Sequence, residues 1–200
     1  MNNRILWFVF GVSLVLIAVL PPLSPVWQAH LTTHILVQYA FLVGAGTIWG
    51  AALAGVRRAY WSAPAALLAA ALALAFWLMP RWIDAALAAP MVDLVKAVCL
   101  VGLVGMPLGW GWTQAGPVLR GFAWANAVSM LAVMGWLELA VPARLCNSYL
   151  LSDQRQLGLA FVSLALALLV AGLGQVLLGR HLARLSAGLP DTPGANRISG

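Results

Sequence analysis

The chain has 200 residues, of which 63% are hydrophobic and only 8% charged, and its mean hydropathy is +0.94. Soluble domains carry about a quarter charged residues, so the composition excludes one and defines an integral membrane protein. Eleven basic against five acidic residues give a net charge of +6, but the longest basic run is the pair Arg57 and Arg58. That is no Lys/Arg stripe for nucleic acid, and basic loops facing the cytoplasm account for the excess.

A helix needs roughly 20 apolar residues to cross about 30 Å of hydrocarbon. Six runs approach that length: Ile5 to Leu20, His30 to Val56, Tyr60 to Met79, Met91 to Trp110, Leu119 to Val141 and Leu157 to Gly179. The first follows Asn2, Asn3 and Arg4 as a signal peptide would, but no small-x-small cleavage site follows it. Instead Pro21 and Pro22 end a retained helix. The second run contains Gly46 to Gly50 and Ala51 to Gly55, spacings at which helix backbones approach closely. The third, PAALLAAALALAFWLM, has no polar group in its middle and reads as scaffold. After Arg184 the sequence LSAGLPDTPGANRISG has too little apolar surface to order itself. The expected organisation is all-α: a six-helix transmembrane bundle over residues 1–184 and a disordered cytoplasmic tail over 185–200.

When loops alternate between the two sides, Arg4, Arg57, Arg58, Arg120, Arg180, Arg184 and Arg197 share one side, against Arg81, Arg144 and Arg155 on the other. The positive-inside rule makes the first side cytoplasmic, with both termini inside a bacterial-type cytoplasmic membrane. Trp27, Trp49, Trp61, Trp77, Trp82, Trp110 and Trp112 fall near run ends, as interface anchors do.

Ionisable groups within spans are costly and are functional candidates by default. His30, His34, Asp93, Lys96, Glu138, Asp153 and Gln154 all fall toward the non-cytoplasmic face, whereas the cytoplasmic half holds almost nothing but arginine in loops. His30 and His34 are four residues apart, so on a helix they lie one turn apart on one face and can share a metal ion. Gln38 continues their stripe. Imidazole suits copper, zinc, iron or nickel alike. The run from Leu119 carries Asn126, Met130, Met134 and Glu138 at four-residue steps, with thioethers that select Cu(I) when they act as ligands and fill core gaps when they do not. Asp93 and Lys96 are spaced for an intrahelical ion pair. Asp153 stands where it can cap the last helix. Cys146 is a thiol in the last outer loop with no CxxC partner, while Cys99 reads as a buried structural thiol.

Two stretches resemble a known family. SPVWQAHLTTHILVQ, with Ser24 and Pro25 leading into His30 and His34, is similar to the SP…HMxQH region of the CtaG-like cytochrome c oxidase assembly factors. SDQRQLGLAF, with Asp153, Gln154 and Gly158, is similar to their D-Q-x-x-x-G signature at the start of a late transmembrane helix. The resemblance implies a copper-handling role for His30 and His34, a structural or functional role for Asp153 and Gln154, and an apo-oxidase subunit as partner.

The first expectation is therefore a non-enzymatic metallochaperone that presents copper at the outer face to a terminal oxidase. A second is a membrane anchor of a redox complex holding haem or quinone, with His34 and Met134 as a possible haem pair. A third is a small transporter with Asp93, Lys96 and Glu138 on a proton-coupled path. No nucleophile elbow or HExxH spacing points to an enzyme.

Overall fold

In the computed structural model the described residues are 3–20, 26, 28–54, 62–141 and 149–187, with side chains described from residue 5 to residue 177 of these. They form helices and no strand. Helix α1 is Asn3–Val19 and α2 is Leu31–Ala54. Then come α3, Ala63–Trp77, α4, Pro80–Ala88, and α5, Pro90–Gln114. The last two are α6, Pro117–Ala140, and α7, Leu151–Ala187. Four of these, α2, α5, α6 and α7, are long and apolar enough to cross a membrane, and the bent pair of α3 and α4 makes up to five if it counts as one span. Helix α1 is shorter.

Local chemistry sets several boundaries. Ser62 accepts from the Ala65 N–H at 3.4 Å and so caps α3, with Pro64 in the first turn. The segment from Met79 to Met91, expected as an outer loop, instead contains α4. Pro80 opens that helix at its first position, where a missing N–H costs nothing, and the chain turns 65° between α3 and α4. Ile83 and Ala86 face inward. This folded-back helix also changes the role expected for Trp77, which is 5% exposed and belongs to the core rather than to an interface belt. Helix α7 extends to Ala187, past the boundary expected at Arg184, and residues 188–200 lie outside the described set.

Helices α2 and α5 run side by side in the same direction. A Cβ on Gly46 would collide with the backbone of Val101 and Gly105, and one on Gly109 would collide with the backbone of Thr47. Main chain therefore packs on main chain, the contact that small residues permit between membrane helices. Two apolar clusters form above this crossing. One gathers Ala18, Tyr39, Leu42, Trp77, Ala97, Leu100 and Val104, and the other Leu31, Ile35, Ile83, Tyr149, Leu157 and Phe161. The first binds α1, α2, α3 and α5 together, while the second ties the hairpin of α6 and α7 to the start of α2.

Candidate functional site

Between the two clusters lies a buried polar network. Lys96 lies on α5 about 9 Å from its start at 1.5 Å per residue, and the residue is 0% exposed. Its ammonium has three donors and three acceptors around it: Asp93 Oδ1 at 2.6 Å, His34 Nε2 at 3.1 Å and Gln38 Oε1 at 3.2 Å. The Asp93 contact is an ion pair by distance, although its angles fall outside those of a hydrogen bond. The Tyr39 ring lies 5.5 Å from the ammonium and adds a cation–π contact.

The network fixes the tautomer of His34. Tyr149 donates its single hydroxyl proton to the Gln28 carbonyl at 3.0 Å, so toward His34 Nδ1, also at 3.0 Å, it can only accept. The imidazole proton therefore sits on Nδ1, and Nε2 offers its lone pair to Lys96. The Gln28 side chain donates to Asp93 Oδ2 at 3.4 Å, which closes a ring through Asp93, Lys96, His34, Tyr149 and Gln28. Gln38 uses its other end to donate to the Ala18 carbonyl at 3.1 Å. That carbonyl is in the last turn of α1, where helix acceptors lack internal partners, so the same amide anchors α1.

Both α2 and α5 contain a π-helical turn near these groups. His34–Tyr39 carries His34 and Gln38, and Leu100–Gly105 begins one turn below Lys96. Such turns re-aim side chains and are frequent at functional sites.

A second, more exposed group stands at the rim. His30 precedes α2 with φ −130° and ψ 141°, an extended conformation. The one-face relation expected of His30 and His34 does not form, because His30 caps the helix from outside it. Its Nδ1 lies 3.3 Å from Asp153 Oδ1, and its side chain is 65% exposed. Asp153, expected ahead of α7 as its cap, lies instead in the first turn, and its Oδ2 reaches back to accept from the Leu150 N–H at 3.3 Å. Gln154 is buried and donates to the Glu138 carbonyl at 3.2 Å at the end of α6. Gly158 packs on the backbone of Gly135, where a Cβ would crowd both helices. The three residues of the D-Q-x-x-x-G stretch therefore all perform structural work.

Of the expected site residues, the structure joins Asp93, Lys96 and His34 in one network and His30 with Asp153 at its rim. Met130 is exposed on α6, Met134 packs against the second apolar cluster, and Glu138 is half-buried with Oε2 turned inward. Cys146 lies outside the described residues. Sequence reasoning missed Tyr149 and Gln28, which sit outside any helical periodicity; the only signal was their proximity to the two polar segments.

A resident copper ion does not fit this donor set while the Lys96 ammonium occupies it. Both nitrogens of His34 are engaged, one by a cation. Among the described residues no three His, Cys, Asp or Glu side chains converge as an ion requires. Comparison with protein-family models, with curated proteins and with solved structures returns no match.

Proposed function

We propose that the chain is a six-span protein of a bacterial-type cytoplasmic membrane, both termini inside, that acts without turnover as an assembly factor for a terminal oxidase and handles copper at the outer face. One observation carries the reading. Two segments more than a hundred residues apart, each resembling a part of the CtaG-like factors, meet where His30 contacts Asp153. Copper is then cargo and not a resident cofactor. Exposed His30, backed by the Asp153 carboxylate, is the group positioned for first contact with it and with the apo-oxidase subunit.

The test is made in a deletion strain of the source cell complemented with wild type, His30→Ala or His34→Ala. The reading expects copper-deficient oxidase in the deletion strain and in the His30→Ala strain, with copper in the purified wild-type chain. Full oxidase copper content without the protein refutes it, and so does a Soret band in the purified chain, which would identify a haem anchor instead.

A proton-coupled transporter is the second reading, supported by the intramembrane Asp93–Lys96 pair, since buried ion pairs mark proton and substrate paths.

A further inference from the structure

Three acceptors from two helices point at one position: His34 Nε2, Gln38 Oε1 and Asp93 Oδ1 lie 3.1, 3.2 and 2.6 Å from the Lys96 nitrogen. One nitrogen, one neutral oxygen and one carboxylate oxygen around a point is the donor set of a cation site, and the cation in it is the side chain of the protein itself. We propose that Lys96 is a tethered cation that fills, and so keeps closed, a cation site built from His34, Gln38 and Asp93. A free cation enters only by exchanging with the ammonium.

Three features support exchange over simple addition. The imidazole proton is held on Nδ1 by Tyr149 and Gln28, so Nε2 always presents a lone pair inward. The site holds one carboxylate and one ammonium, so a monovalent ion replacing the ammonium keeps the buried charge at zero. Adding a cation beside it would instead place like charges about 3 Å apart at low dielectric, where repulsion is severe. Asp93 supplies the way out: it is one turn nearer the rim than Lys96 on the same helix, its side chain is 23% exposed, and it already touches the ammonium. Lys96 can swing past that carboxylate toward the rim and leave it to the incoming ion. The metal form of this inference rests on the copper-handling reading; the cage itself does not.

The experiment uses the full chain in detergent and two probes. Methylammonium tests the cage. It is expected to raise the Tm of Lys96→Ala saturably, to leave wild type unchanged, and to lose its effect in Lys96→Ala/Asp93→Asn. Cu(I), titrated against a competing chelator, tests exchange. It is expected to bind Lys96→Ala at least about tenfold more tightly than wild type, because a like charge has gone, and the gain is expected to vanish when His34→Ala is added but to survive His30→Ala. Equal methylammonium shifts in wild type and variant, or none, overturn the proposal. A Cu(I) gain that persists in the Lys96→Ala/His34→Ala protein overturns it too. Methylammonium rescue without any Cu(I) binding upholds the cage and sinks the copper reading alone. Lys96→Leu, which stops short of the last carbon and the nitrogen of lysine and adds no Cu(I) ligand, carries the same measurements if Lys96→Ala does not accumulate.

Discussion

Replacing Lys96 by methionine keeps the stem and removes the ammonium, leaving three acceptors facing apolar atoms. Asp93 loses its counter-charge. Breaking a buried pair by deleting one partner costs about 3–5 kcal/mol, and Asp93, at 23% exposure, keeps some water, which places its share at the low end. His34 Nε2 and Gln38 Oε1 each lose a donor in a closed setting, at about 1 kcal/mol apiece. The total for Lys96→Met is about 5 kcal/mol. Asp93→Asn/Lys96→Met removes the stranded charge as well, so its loss is expected to fall to about 2 kcal/mol, a strongly non-additive pair. Unfolding in detergent, followed by tryptophan fluorescence, measures both. A loss below about 1 kcal/mol for Lys96→Met, the scale of an exposed pair, or a double variant no more stable than the sum of the singles, would refute the burial argument.

Other substitutions separate the network from its rim and from its frame. Tyr149→Phe removes the hydroxyl that joins His34 to the Gln28 carbonyl and is expected to cost about 1–2 kcal/mol in the same unfolding assay. His30→Ala breaks a contact whose imidazole is 65% exposed, so its stability change stays within about 0.5 kcal/mol, and a larger loss would show that His30 is structural. Gly109→Ala drives a Cβ into the Thr47 backbone and is expected to cost about 3 kcal/mol. Gly102→Ala, where a Cβ meets open space, serves as its matched control and is expected to be neutral or stabilising by about 0.5–1 kcal/mol; equal losses at both would contradict the close crossing.

Much of this architecture is legible in the sequence, and the illegible parts have physical causes. Apolar run length places α2, α5, α6 and α7, and the i,i+3 spacing of Asp93 and Lys96 gives their ion pair directly. The Met79–Met91 segment is misread because charges at Arg81 and Asp84 resemble a loop, whereas Pro80 and an inward face of Ile83 and Ala86 make a short amphipathic helix. The histidine pair is misread because four-residue spacing implies one face only if both residues are helical, and His30 is extended. Periodicity also carries no information on which helices are neighbours. The parallel contact of α2 and α5, without which Lys96 would not reach His34, depends on glycines matched across the crossing at Gly46 and Gly105, and only one half of that match is visible as a spacing in either helix alone.

The two polar groups at this end of the helices differ in what their surroundings allow them to do. His30 and Asp153 sit where water competes, so their contact is weak, reversible and open to an incoming ligand. Lys96 and His34 sit where water does not, so each must be held by partners, and two of these partners are tied in turn to backbone carbonyls, Gln38 to Ala18 at the end of α1 and Tyr149 to Gln28 ahead of α2. Moving the ammonium therefore perturbs the seating of α1 and of the chain before α7 as well as the polarity of one pocket. The rim pair and the buried network nonetheless share the same two segments, since His30 and His34 lie four residues apart at the start of α2 and Tyr149 and Asp153 four apart at the start of α7, so each contact fixes the approach of the other.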